Sequence, residues 1–373
     1  MEAVFKINNQ QLPAKALVHF RKVMTQFNEN NTGYKDGYPL FLGPNLGILD
    51  TVNVQYPRLE ELYQEQVSQI WNEFEIDLTQ DKMDMLTLDK GTVDLMVKNL
   101  MWQTVGDTIA TRSILETFGK YVTNSELVSL MTAWSFFEVI HARTYSHIIK
   151  QTFTDPNGML EELYSDAEVL SRSETITKAF SNLSNCSVGF VRHPLLMALV
   201  ALLGLESIAF MASFAVTFAI VETGKFQGIG KLVQLICRDE VLHASMSFEV
   251  IKILKEDPTW ASVFRVSRPD IRTLLNDILE REFISADYVF SEGREVIGCN
   301  PKLLKQYILF MARPIYELFD LVPLTAPKEN PLPYMDKYVD PSKVQTANME
   351  LQNTSYLIGT IDDDTFDLDL EHL

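Results

Sequence analysis

Two segments of the 373-residue chain carry a glutamate followed three positions later by a histidine, Glu138-Val-Ile-His141 and Glu240-Val-Leu-His243. Positions i and i+3 of a helix share a face, so each segment, if helical, presents a carboxylate and an imidazole side by side. One such pair is ordinary on a solvated helix. Two are more informative, because the chain has only 6 histidines and both pairs stand in apolar surroundings, TAWSFFEVIHARTYSHII and LVQLICRDEVLH. Two further acids lie in apolar stretches: Asp107 in LMWQTVGDTIATR and Glu206 in PLLMALVALLGLESIAFMASFAVTFAIVE. A carboxylate in such a wall must be paired, protonated or bound to a cation. Four carboxylates carry four negative charges, which two divalent ions would cancel. An oxygen-rich donor set with one imidazole per ion suits iron or manganese better than zinc. The competing reading is four unrelated buried acids, each satisfied locally.

The elements that must position these residues are helices. From Tyr56 to about Phe319 apolar residues recur at helical spacing, which predicts helices near 57–77, 92–119, 125–153, 159–180, 194–222, 228–255, 270–297 and 302–319. Four of them would supply Asp107, Glu138 with His141, Glu206, and Glu240 with His243. One carboxylate from each of two helices and Glu-x-x-His from each of two others is the donor set of ferritin-like di-iron and di-manganese bundles. The expected class is therefore all-α, a ferritin-like helical bundle. Residues 1–56 read as an irregular N-terminal arm and 57–321 as the bundle. Residues 322–373 read as a proline-containing linker and a flexible, acidic C-terminal tail, since Pro323, Pro327, Pro331, Pro333 and Pro341 precede an end that runs IDDDTFDLDLEHL.

Between Pro194 and Glu222 lie 27 residues, long and apolar enough to cross a bilayer. No second span accompanies them and no basic cluster flanks them, so the middle of a bundle is the expected place, with no membrane partner. The net charge of −18, from 32 basic and 50 acidic residues, argues against a nucleic-acid partner. The 3 cysteines, Cys186, Cys237 and Cys299, form no paired motif and fit a reducing cytoplasm. Gly228-Ile-Gly230-Lys231 has a loose likeness to a phosphate loop but lacks its lead and its Ser/Thr, and reads as the start of a helix.

Tyr145 follows His141 by four residues, about 6 Å along a helix axis, within range of one-electron oxidation by a metal and too far for easy ligation. Phe210 and Phe214, four and eight positions after Glu206, and Ile236 beside the second pair would make a dry pocket that denies a tyrosyl radical hydrogen donors. On pattern alone two readings stand: an oxidisable tyrosine, or a core tyrosine among core phenylalanines.

From about Pro39 to Leu373 the chain resembles the small, radical-generating subunit of class I ribonucleotide reductase. FFEVIHARTYSHI and CRDEVLH are similar to that family's two motifs, and the 31 residues from Asp107 to Glu138 and 34 from Glu206 to Glu240 match its ligand spacing. The resemblance implies that Asp107, Glu138, His141, Glu206, Glu240 and His243 are metal ligands, with Glu138 and Glu240 bridging, and that Tyr145 holds the stable radical. It implies two iron ions, with manganese possible because a shorter di-manganese branch uses much the same ligands. It also implies activation by O2 and an electron donor. Trp71, 36 residues before Asp107, is implied as a transfer residue, and Asp239 as its hydrogen-bond partner and that of His141. Tyr356, with Glu350 nearby, is implied as the relay to a large catalytic subunit on which the tail docks, and a homodimer is expected. The implied activity is reduction of ribonucleoside diphosphates. The arm before Pro39 has no counterpart in the family, and the first ligand is Asp, which the family allows. Two rivals remain: a di-iron oxidase acting on an external substrate, and an iron-storage protein. Neither has a use for Trp71, Asp239 and Tyr356.

Overall fold

The most apolar stretch of the chain is the centre of the fold. Arg192–Glu222 would qualify as a membrane span by length and composition, yet 94% of its most apolar window is enclosed by other helices. Because every side of it is apolar, every side must be covered. The computed structural model describes residues 6–7, 10–11, 27–186, 190–321 and 325–339. In chain order the helices of five or more residues are α1 (Pro57–Ser68), α2 (Thr79–Thr87), α3 (Lys90–Ser113), α4 (Ser125–Thr152), α5 (Pro156–Ser165), α6 (Ala167–Ser171), α7 (Glu174–Ser184), α8 (Arg192–Gly204), α9 (Phe210–Glu222), α10 (Gln227–Glu256), α11 (Ala261–Val289) and α12 (Pro301–Leu318). A π turn, Leu205–Ala209, joins α8 to α9, and a second, Ile114–Phe118, extends α3. Strand pairing among the described residues is limited to Lys6–Ile7 with Gln10–Gln11 and two isolated bridges, so the expected all-α class holds.

The elements that carry the site pack together: α3 on α4 and α9, α10 on α9 and α4, and the π turn on α10. Side-chain caps start two of them. Asp89 accepts from Thr92 N at the head of α3, and Asn124 accepts from Leu127 N at the head of α4, both at 2.9 Å. The head of α10 is capped from a distance. Asp81 on α2 accepts from Ile229 N at 2.8 Å and from Gly228 N at 3.1 Å, and Asp84 accepts from Phe226 N at 2.8 Å. A Cβ on Gly228 would stand 2.3 Å from Asp81 Oδ2, so glycine is what lets the carboxylate reach the helix end. The loose phosphate-loop likeness at Gly228–Lys231 is thereby accounted for: the chain's own acid occupies the anion position. Asp81→Ala leaves two buried amides without acceptors and is expected to cost about 2 kcal/mol. Thermal melts should show the loss, with Asp81→Asn, which keeps one oxygen, lying between the variant and the parent.

Three helix boundaries differ from the periodicity. The expected helix 57–77 ends at Ser68, and α2 begins after a loop in which Asn72 and Asp77 accept from the amides of Phe74 and Thr79. Trp71 sits in that loop, and the break lets its ring enter the core. The expected helix 159–180 is three pieces, because Asp155 and Asp166 each cap a new start, on Gly158 N and Val169 N. The expected helix 270–297 runs instead over Ala261–Val289: Pro269 is accommodated inside it, and Arg294 turns back to bond the carbonyls of Val289 and Tyr288, closing its end.

Packing continues beyond Leu321. Leu332, Met335 and Tyr338 are buried, Tyr334 donates to the carbonyl of Ala215, and the ring of Tyr338 stacks on Phe218. Tyr38, Leu40 and Phe41 are buried likewise before the first helix, where Leu42 N bonds the carbonyl of Tyr121. Tyr356, Glu350 and the acidic end lie outside the described residues.

Candidate metal centre

All six expected ligands meet in the interior, and none has any exposed surface. Asp107 comes from α3, Glu138 and His141 from α4, Glu206 from the π turn between α8 and α9, and Glu240 and His243 from α10. One ligand atom from each of Glu138, His141, Glu240 and His243 falls within 4.8 Å of the others. The orientation of the two glutamates is informative. Glu240 places Oε1 2.9 Å from His141 Nδ1 and Oε2 2.8 Å from His243 Nδ1. Glu138 places Oε2 3.7 Å from His141 Nδ1 and Oε1 3.0 Å from His243 Nδ1. Each carboxylate therefore offers one oxygen beside each imidazole, the disposition a pair of bridging carboxylates requires. Asp107 Oδ1 stands 3.3 Å from His141 Nδ1, on that side of the pair.

The donor set is unsatisfied by the protein itself. Both oxygens of Asp107, both of Glu206, Oε2 of Glu138, Oε1 of Glu240 and Nδ1 of His141 are buried without a well-aligned hydrogen bond, facing only one another. Buried polar atoms are rarely left so. Here they converge on one place, and their chemistry is that of a site for hard or borderline divalent cations. The residues present fit a buried dinuclear metal site.

Electrostatics agree. Burial pushes Asp107 up to about 6, against the pull of His141. Glu240 rises to about 8, from burial and then from the charge of Glu138. Glu206 is held well above the ordinary carboxylate range by burial and by the charges of Glu240 and Glu138. Glu138 goes the other way: burial raises it, but His141 and His243 outweigh that and hold it at about 2. Burial lowers His141, yet the carboxylates of Glu240, Asp107, Asp239 and Glu138 outweigh it, so the imidazole titrates well above its usual value. The protein's own groups thus share protons among four buried carboxylates around a charged imidazole.

Around the ligands stands a supporting layer. His141 turns its Nε2 to Asp239 Oδ2 at 3.2 Å, which leaves Nδ1 facing the carboxylates. Asp239 also accepts from Trp71 Nε1 at 2.7 Å and from Arg238 Nε at 3.1 Å. Burial raises Asp239, but Arg238, His141 and Trp71 outweigh it and keep it ionised. The ring of Trp71 stacks on His141 with centres 6.2 Å apart. Trp134 stacks on His243 at 5.0 Å and donates to Glu138 Oε1 at 2.8 Å. Its place four residues before Glu138 was visible on the helix stripe, but its contact with a ligand was not. The part played by Arg238 was hidden too, because adjacent helical residues do not ordinarily face each other.

Tyr145 is buried and its hydroxyl has no hydrogen-bond partner. Burial, then the charges of Asp107 and Glu240, drive the phenol well above its ordinary range, so it is held protonated. Phe210, Phe214 and Ile236 are all in the core, and the two phenylalanine rings stack with centres 5.9 Å apart. Phe210 packs onto α3 where Gly106 leaves room: a Cβ there would lie 2.9 Å from the ring.

A family model described as "Ribonucleotide reductase, small chain" matches residues 49–331. The ribonucleoside-diphosphate reductase subunit beta of Haemophilus influenzae is 28% identical over 372 aligned residues, covering 92% of this chain and 98% of that protein. The ribonucleotide reductase R2 subunit from Clostridium botulinum superposes with a TM-score of 0.77 at 22% identity, over 84% of this chain and 98% of that one. Dimanganese(II)-NrdF from Streptococcus sanguinis does so with a TM-score of 0.66 at 18% identity, over 78% and 98%. These two likenesses establish the helical fold. The family match, the relative and the buried site together place the chain in the ribonucleotide reductase small-chain family, as the radical-generating subunit that works with a large subunit to reduce ribonucleotides.

Proposed function

We propose that this chain binds two iron ions between Asp107, Glu138, His141, Glu206, Glu240 and His243 and stores a radical on Tyr145. The observation that carries the reading is the pair Glu138 and Glu240, each with one oxygen beside each imidazole, in a ring of buried donors that nothing else satisfies. When bound, the ions supply dioxygen reduction and the one-electron oxidation of a nearby residue. The protein's own residues do the rest. Asp239 fixes the tautomer and tilt of His141. Trp134 holds Glu138 from behind. The burial of Tyr145, with no donor at its hydroxyl, keeps reductants and hydrogen donors from a phenoxyl formed there. Because that phenol is held protonated, storing a neutral radical there would require the loss of a proton as well as an electron.

The choice of iron is supported by the chain length and acidic end, which resemble the di-iron branch. Manganese is the second reading, favoured by the shared fold of the Streptococcus sanguinis protein named for that metal. The route by which the oxidising equivalent leaves is His141, Asp239 and Trp71, joined by hydrogen bonds of 3.2 and 2.7 Å, and then Tyr356. Docking of the acidic C-terminal end on the large subunit, a homodimer, activation by O2 with an electron donor, and a cytoplasmic location complete the proposal. Its 3 cysteines are all free, as a reducing compartment requires.

The reading is tested by combining the loaded, O2-exposed chain with a large subunit and following deoxyribonucleoside diphosphate formation. Trp71→Phe is expected to store radical within about twofold of the parent while product formation falls to the assay floor, because it breaks the 2.7 Å bond while keeping an aromatic ring beside His141 and every proposed ligand in place. Full turnover by that variant would remove Trp71 from the route.

A further inference from the structure

Arg172 is a buried cation for which the chemistry above has no use. It caps the C-terminal end of α6, and its side chain enters the core between three elements. Nε and Nη2 donate to the two oxygens of Glu282 on α11 at 2.8 and 2.6 Å, a two-pronged pair that compensates the buried charge. Nη2 also donates to the carbonyl of Ala209 at 3.0 Å. The guanidinium lies 3.6 Å from the centre of the Trp102 ring on α3.

The two targets beyond Glu282 are informative. Ala209 is the last residue of the π turn that presents Glu206, and Trp102 stands one helical turn and a residue before Asp107. Trp102 in turn meets Phe210, the first residue after the turn, edge-on at 5.5 Å. Glu206 and Asp107 are the two proposed ligands with no histidine three residues on to share their helix face. The Glu138, His141, Glu240 and His243 cluster converges without help from Arg172. A π turn is a rare geometry, frequent at functional sites, and Arg172, held by Glu282, donates to the last carbonyl of this one. We propose that Arg172, fixed by Glu282, is a positioning residue for Glu206, holding the π turn by the Ala209 carbonyl so that one of the two metal ions is bound at full strength. This rests on the ligand assignment of the proposed function.

The test is a Mn(II) titration of the metal-free full chain, followed by loss of the EPR signal of the aqueous ion. The parent chain should take up two ions. Arg172→Lys keeps the charge but cannot serve both Glu282 oxygens and the Ala209 carbonyl. It should bind one ion within about twofold of the parent and the other 10- to 100-fold more weakly, a range typical of lost ligand support. Arg172→Met should show the same loss, and the lysine variant decides if the methionine variant does not fold. On a Glu206→Gln background, Arg172→Lys should add little further weakening. A folded Arg172→Lys protein with a lower melting temperature but two parental affinities would overturn the proposal and leave Arg172 a stabilising brace. Failure of the parent to take up two ions would instead overturn the ligand assignment itself.

Discussion

Tyr145→Phe is expected to bind its metal ions and fold as the parent does, yet to show no organic radical after Fe(II) loading and exposure to O2. Reductase activity with the large subunit should drop to the assay floor. The hydroxyl that the substitution removes has no hydrogen-bond partner, so its loss orphans no other group. Removing an unsatisfied buried polar atom is close to neutral for stability, within about 0.5 kcal/mol. The ligands are untouched, so metal content should not change. The only property lost is a phenol that can be oxidised next to the site. Low-temperature EPR on both proteins, with metal analysis of the same samples, separates the alternatives. A parental radical signal in the variant would move the radical off Tyr145. Oxidation of metal in the parent without any radical would favour the oxidase reading.

The second large effect is on stability. Loading two divalent ions should raise the melting temperature on the order of 10 °C at free ion about 1,000 times Kd, since each site then contributes about 4 kcal/mol and a chain of this size moves a little over a degree per kcal/mol. The gap should depend on pH in a definite direction. Asp107 and Glu240 have folded values raised to about 6 and about 8, so the metal-free fold binds protons that the unfolded chain releases. Their contribution is fully present below the ordinary carboxylate range and is lost as pH rises through 6 and then 8. Glu138, at about 2, acts in the opposite sense: its contribution is fully present above the ordinary carboxylate range and is lost only as pH falls toward 2, outside this window. Between pH 5 and 8 the metal-free protein should therefore weaken as pH rises. The loaded protein should not, because cations have replaced the protons. Calorimetry with and without chelator across that range decides. A gap that stays constant or narrows toward pH 8 would show that the buried acids are neutralised by something other than metal.

Much of the site was legible because its signal is local. Glu138 with His141 and Glu240 with His243 stand at a spacing that any helix converts to one face, and Asp107 and Glu206 betray themselves by lying in apolar runs. What was not legible is non-local or breaks periodicity. Apolar spacing carries across Ser68 into the Trp71 loop, since the turn there is made by the side chains of Asn72 and Asp77 and not by glycine or proline. The Arg172–Glu282 pair joins positions 110 residues apart, and nothing in either neighbourhood names the other. The return of Leu332–Tyr338 onto α9 was masked by prolines, which suggest an extended chain whether or not the residues between them are buried. The class of fold and the six acids and histidines that meet in the core could be read from type and spacing, whereas the supports had to be seen.

The π turn has a consequence for the shape of the central helix. An α-helix advances 100° per residue, so one surplus residue at Leu205–Ala209 rotates everything after it by nearly a third of a turn relative to everything before. The 31 residues of Arg192–Glu222 are therefore two half-helices set out of phase. The first meets α7, α11 and α10, and the second meets α3, α10 and α12. A deletion of one residue there would give a smoother rod with better internal hydrogen bonding, and would turn Glu206 off the phase it keeps with Phe210 and Phe214. Regularity of the helix and convergence of the ligands are alternatives at this position, and the chain has kept the irregular one.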